Sequence, residues 1–162
     1  MQNEGTKILD NLFFDKSLII KGINPTTDEE ALHIISKRLF DKKIVKESYT
    51  DSIIKREREF PTALELADIN IAIPHTTPDH VYTPAIAIGF LENPVSFAVM
   101  GEPDRRIPVE MIFMLSITQP KVHLSVLKKL VEIFQEEGKV KKLRDTEDVT
   151  DVYNLFIDYM KD

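Results

Sequence analysis

The chain contains no cysteine, and only five of its 162 residues are glycine. Without cysteine there is no disulfide, no thiol nucleophile, no Cys-ligated zinc and no iron–sulfur cluster. No apolar run approaches the ~20 residues needed to cross a bilayer. The opening residues, Met1 to Lys7, lack a charged stretch followed by an apolar one, so no signal peptide is expected. A surplus of positive charge is also missing. The 21 Lys+Arg against 27 Asp+Glu leave a formal charge of −6, which argues against a nucleic-acid partner. No internal repeat, low-complexity tract or Gly/Ser-rich linker divides the chain. The expectation is one cytoplasmic domain over residues 1–162, with no membrane insertion.

What is present is an ordinary globular composition, 43% hydrophobic and 30% charged. A domain of this length buries roughly 68–70% of its unfolded surface and needs no covalent staples. Leu18-Ile19-Ile20 reads as a short strand. The first clear helix follows Pro25, with Thr27 as its cap and Glu30 completing a capping box. Ala31, Ile34, Ile35 and Leu39 form its apolar face. A second helix is expected over about 49–59, since Pro61 biases Phe60 out of the helical region. Its end, Lys55-Arg56-Glu57-Arg58-Glu59, reads on its own as a solvated charge run.

The middle of the chain reads as strands over 70–73, 85–91, 95–97 and 109–117. Several lack polar alternation, which points to burial on both faces. Pro120 opens a strong helix with Val122, Val126, Leu127, Leu130, Val131 and Phe134 on its buried side, and Gly138 is the stop signal. A last helix from near Thr146 buries Val149, Val152, Tyr153, Phe156 and Met160. Central strands with helices around them predict an α/β three-layer sandwich.

The chemistry must come from His, Ser, Thr, Lys or carboxylates. There is no Gly-x-Ser-x-Gly elbow, no phosphate-cradling Gly-x-x-x-x-Gly-Lys and no His-Glu-x-x-His zinc helix. His33 falls within the first helix and His80 in a Pro-Asp-His loop. His75 directly follows a buried strand and Pro74, whose fixed φ leaves it little backbone freedom. Its plainer alternative is a rim histidine bonded to backbone. His123 lies in the first turn of the helix opened by Pro120, where the dipole favours anions and disfavours imidazolium. Its plainer alternative is an exposed helix histidine. A metal-dependent hydrolase using His75, His80 and His123 lacks ligand spacing.

Arg56-Glu57-Arg58-Glu59-Phe60-Pro61-Thr62, followed by Ile71-Ala72-Ile73-Pro74-His75, resembles the enzyme IIA domains of the fructose–mannitol superfamily. These belong to the phosphoenolpyruvate-dependent sugar phosphotransferase system (PTS). The resemblance runs over the whole chain, and the Glu-Phe-Pro-Thr stretch looks closest to galactitol-type members. It implies a mixed β-sheet flanked by helices and a phosphohistidine at His75. HPr would donate the phosphoryl group and an enzyme IIB would accept it, with no cofactor and no metal. It implies site roles for Arg56, Thr62 and His123 as well. A regulatory, nitrogen-type relative that signals by its phosphorylation state is the alternative reading. Two positions depart from the family pattern: Ala63 and Asn70 stand where glycine is usual. Ala63 is the less tolerant of a positive φ, so the loop near Thr62 is expected to differ slightly.

Overall fold

The computed structural model describes residues 12–161. The opening segment read for a signal peptide lies outside the described residues. Helix α1 (Asp28–Asp41) starts as expected: the Thr27 hydroxyl accepts from the Glu30 N–H at 3.1 Å. The reciprocal half of the capping box is replaced, because the Glu30 carboxylate accepts from the Thr26 hydroxyl instead. Helix α2 (Tyr49–Glu59) has the expected bounds. Helix α3 (Pro120–Gln135) opens on proline, whose missing N–H would be unpaired there in any case.

Gly138, at φ 91°, does more than stop a helix. It leads into a short α4 (Lys139–Asp145) that the periodicity did not announce. Helix α5 (Val149–Lys161) then closes the chain, starting later than Thr146. Val131 of α3 and Ile34 of α1, both expected inside, are 40% and 38% exposed.

The strands are β1 (Ile19–Ile23), β2 (Ala63–Glu65), β3 (Asn70–Ala72), β4 (Ala85–Val99) and β5 (Glu102–Ser116). The two expected runs 85–91 and 95–97 are a single strand whose register shifts between Phe90 and Val95. Such an irregularity lets one long strand bend without ending. β4 and β5 form an antiparallel hairpin through Gly101, at φ 77°. β1 lies parallel on β4, and β3 lies parallel on β5. β2 is antiparallel to β3 and touches β4 at Val99. The sheet is therefore mixed, within an α/β fold.

Helices cover both faces of this sheet. One face packs α1 and α2 over Ala85, Ala87, Ile112 and Met114. The other packs α3, α4 and α5 over Ile86, Ile88, Phe90, Met111, Phe113 and Leu115. The alternation along β4 is thus small against large rather than polar against apolar. Gly89 continues the small side, and a Cβ there would come within 2.5 Å of Ile35 Cδ1.

The topology places the functional segments together. β3 and β5 are parallel neighbours, with Ala72 opposite Ile112, so their C-terminal ends reach the same edge of the sheet. β3 runs out into Ile73-Pro74-His75, and β5 into the turn that opens α3 and carries His123. In open α/β sheets this is the edge where ligands collect.

The close approach at Gly89 makes a testable expectation. Gly89→Ala should destabilise the protein by about 1–3 kcal/mol through overpacking. Ile35→Val removes the offending Cδ1, so the double variant should be more stable than the sum of the single effects. Additive losses in denaturant unfolding would contradict this packing.

Candidate functional site

Only a few backbone atoms separate β3 from the His75 ring, and each of them is held. His75 Nδ1 lies 2.8 Å from the Ile73 carbonyl oxygen. A carbonyl can only accept, so Nδ1 carries the proton and Nε2 keeps its lone pair. The next carbonyl, that of Pro74, accepts from the Leu115 N–H of β5 at 3.0 Å.

Helix α2 braces this segment from the side with four residues. The fully buried Tyr49 donates its hydroxyl to the Leu115 carbonyl at 2.7 Å, fixing the strand that holds Pro74. Ser52 hydrogen-bonds the buried Thr76 hydroxyl just after His75. Arg56 lies near enough for its charge to act on the imidazole. Its guanidinium carbon sits over the Phe60 ring, 4.3 Å from its centre, a cation–π contact.

Glu57, one residue on, is buried. Its carboxylate accepts from the Thr62 N–H at 2.8 Å and from the Thr62 hydroxyl at 2.9 Å. Burial pushes the Glu57 carboxyl up to about 7, against the opposing effect of those two bonds.

His75 and His123 meet edge to face, with ring centres 5.1 Å apart. Both imidazoles are held below their ordinary value, chiefly by burial. The Arg56 charge adds to the lowering at His75, while the bond to Ile73 opposes it. The neighbouring His75 adds to it at His123. α3 begins without a side-chain cap from Gln119, and its start faces the same edge as the two rings.

Of the four residues expected in the site, His75, His123 and Arg56 are thus brought together. Thr62 is placed differently: its hydroxyl proton goes to Glu57, and its oxygen accepts the Ile73 N–H at 3.1 Å. It meets His75 only through the Ile73 backbone. His80 is elsewhere, its Nδ1 2.8 Å from the Ser48 hydroxyl, and His33 is exposed on α1. Among the described residues no group of three or more His, Asp or Glu is placed to hold a metal ion.

The charge run 55–59 is not uniformly solvated. Lys55, Arg58 and Glu59 are exposed, Arg56 is half-buried and Glu57 is inside. The loop expected to differ at Ala63 needs no glycine. Ala63 lies in β2 opposite Ala72, and among the described residues Lys43 is the only non-glycine at positive φ. Asn70 lies in β3 and donates its side-chain amide to the Pro108 carbonyl at 3.0 Å. Tyr49, Ser52 and Glu57 were not singled out from sequence. The spacing 49, 52, 56 sets Tyr49 and Ser52 on the Arg56 side of α2, whereas Glu57 lies off that line.

Comparison with known proteins decides the family. Residues 12–159 match the family described as "Phosphoenolpyruvate-dependent sugar phosphotransferase system, EIIA 2". The chain belongs to this family. It is 30% identical over 122 residues to the PTS system galactitol-specific EIIA component of Escherichia coli, covering 75% of this chain and 81% of that protein. Solved EIIA structures share the fold. One is the complex of enzyme IIA-mannitol with phosphorylated enzyme IIB-mannitol from Escherichia coli, with TM-score 0.74 at 22% identity over 89% of this chain and 96% of that one. Another is the nitrogen regulatory protein IIA-Ntr from Neisseria meningitidis, with TM-score 0.71 at 22% identity over 92% of this chain and 98% of that one. As an EIIA type 2 domain the chain is a phosphotransferase component. No helix among the described residues is long and apolar enough to cross a membrane.

The shifted groups predict opposite slopes of stability with pH. The folded state favours neutral His75, whereas the unfolded chain protonates near the ordinary value of 6.5. Relative to His75→Gln, the wild type should therefore lose stability as pH falls through 6.5. Glu57 keeps in the folded state a proton that the unfolded chain loses near 4.5. Relative to Glu57→Gln, the wild type should lose stability as pH rises from 4.5 to about 7. Denaturant unfolding at several pH values checks both signs.

Proposed function

We propose that His75 carries the phosphoryl group on Nε2, receiving it from phospho-HPr and passing it to an enzyme IIB that serves a galactitol-like sugar alcohol. The single observation that supports this most is the Ile73 carbonyl on Nδ1, which leaves Nε2 as the nucleophilic lone pair. In the transfer, the bond between Nε2 and phosphorus forms as the phosphorus–nitrogen bond of the donor breaks. That electron pair returns to the donor's ring, and the proton stays on Nδ1 throughout, hydrogen-bonded to the Ile73 carbonyl. Burial and the Arg56 charge keep the imidazole neutral, hence competent to attack, near neutral pH.

Phosphoryl transfer depends on positioning and on meeting the charge of the oxygens. Arg56 is suited to this by its planar fork, held on Phe60. His123, kept neutral, can donate a hydrogen bond across the edge-to-face contact. The uncapped start of α3 adds its N–H groups and dipole. These groups supply positive potential without a metal ion. The galactitol choice rests on the 30% identity to the galactitol-specific component, and the IIB partner on the mannitol complex of the same fold.

Phospho-HPr, purified away from enzyme I, should label the protein with one acid-labile, base-stable phosphoryl group. His75→Gln should fold and take up none; undiminished label there refutes the assignment. Loss of one preorganised donor typically costs about 10²–10³ in rate. Arg56→Ala should approach that loss, Arg56→Lys should fall between it and wild type, and His123→Ala should still be labelled on His75 with altered transfer. The label should then pass to a galactitol-type IIB. Labelling without any IIB acceptor would favour the regulatory reading instead.

A further inference from the structure

Both oxygens of the Glu57 carboxylate are taken by a single residue, Thr62, which in turn holds the backbone that holds His75. Once ionised, the carboxylate can only accept, so the Thr62 hydroxyl proton then points at it. The Thr62 oxygen is then left with lone pairs, one of which receives the Ile73 N–H. The Ile73 carbonyl, in turn, can only accept, and it receives His75 Nδ1–H. With Glu57 ionised, Glu57, Thr62, the Ile73 backbone and the His75 ring are therefore linked in sequence, the two Ile73 groups joined through its Cα. The neighbouring Ser52–Thr76 contact is different, since either hydroxyl there could donate.

The ionised carboxylate is what orients the Thr62 hydroxyl, while the Ile73 N–H and carbonyl have fixed roles of their own. A neutral amide in its place would set an NH₂ group against one of Thr62's two donors. Turned toward the Thr62 hydroxyl, it would reverse that hydroxyl; turned toward the Thr62 N–H, it would oppose it. Of the other charges in the cleft beside Glu57, Asp28 pairs with Arg106 at 2.8 Å and Glu29 with Arg58 at 2.6 Å. Paired with one another, they leave both Glu57 oxygens to Thr62.

We propose that Glu57 is a positioning residue for phosphoryl transfer, acting through Thr62 and the Ile73 backbone to hold His75 in the Nδ1–H tautomer with Nε2 presented to the donor. This rests on the reading of His75 as the phosphoryl acceptor. Thr62 is then the middle link of the chain, and its hydroxyl has no proton to offer a phosphoryl oxygen. The imidazole, released from this hold, would exchange between tautomers, and the Nε2–H form cannot attack.

The test uses nitrogen NMR of the His75 ring in the unphosphorylated protein, together with transfer kinetics from phospho-HPr. Both are done above pH 8, where Glu57 is ionised. The wild type should show Nδ1 protonated and Nε2 bare. In Thr62→Val and Glu57→Gln the share of the Nε2–H tautomer should rise. The maximal transfer rate should fall by between about tenfold and a hundredfold, with the half-saturating phospho-HPr concentration unchanged. Thr62→Ser, which keeps the hydroxyl, should restore both readouts. Wild-type tautomer and rate in Thr62→Val and Glu57→Gln overturn the proposal. So does a slow Thr62→Val with the wild-type tautomer, which would mean that Thr62 acts on the phosphoryl group directly. If Glu57→Gln does not fold, Thr62→Val and Thr62→Ser decide the matter by the same two readouts. The tautomer is read without phosphate, so it separates this proposal from the assignment of the phosphoryl group to His75, which fails only if the label maps elsewhere.

Discussion

The Ile73 carbonyl accepts the His75 Nδ1 proton at 2.8 Å, and the surrounding structure is arranged to keep that carbonyl where it is. An imidazole ring turns easily about its side-chain bonds, so one hydrogen bond cannot hold it unless the acceptor is itself immobile. Here the acceptor belongs to a backbone clamped before and after. Thr62 holds the Ile73 N–H, Leu115 holds the Pro74 carbonyl, and Pro74 has a φ fixed by its own ring. The residue proposed to carry the phosphoryl group is mobile by nature and is made rigid by its neighbours.

Most of those neighbours trace back to one helix. α2 reaches the 73–76 segment through Tyr49 at its start, Ser52 one turn on, and Arg56 and Glu57 near its end. Any shift of α2 against the sheet would therefore move the hold on His75 and the nearby guanidinium together. The small face of β4 bears on this directly. Ala85, Ala87 and Gly89 let α1 sit close to the sheet, and α1 packs on α2. The larger face of the same strand carries α3 and its His123. One strand thus sets the spacing of the layers on both sides of the site.

The electrostatic arrangement has the same economy. A buried carboxyl is unfavourable, and Glu57 shows it by titrating near 7. Its two hydrogen bonds from Thr62 offset part of that cost and, once the carboxyl is ionised, orient the Thr62 hydroxyl. The histidines are displaced the other way, toward the neutral form, by burial and by positive charge. The Arg56 charge acts on this neutral pair in a protein whose formal charge is −6. Local placement, rather than overall charge, sets the potential where an anion would arrive.

The sequence alone determined a good deal of this. Periodicity and caps placed α1, α2 and α3, because proline, threonine and apolar spacing act within one or two turns. Pro74-His75 after an apolar strand, and a histidine at a helix start, marked the two rings that meet. Only the tertiary structure decided that they meet, since that follows from β3 and β5 lying parallel, a pairing between segments far apart in the chain. The same holds for Glu57, which sits in a run of charges that reads as solvated and becomes buried once Thr62 and the sheet edge close over it. The family resemblance implied a site role for Thr62, and the fold turned its hydroxyl proton inward to Glu57. Local rules dictate which residues form helices and where strands stop, whereas the direction of a hydrogen bond depends on what the rest of the chain brings against it.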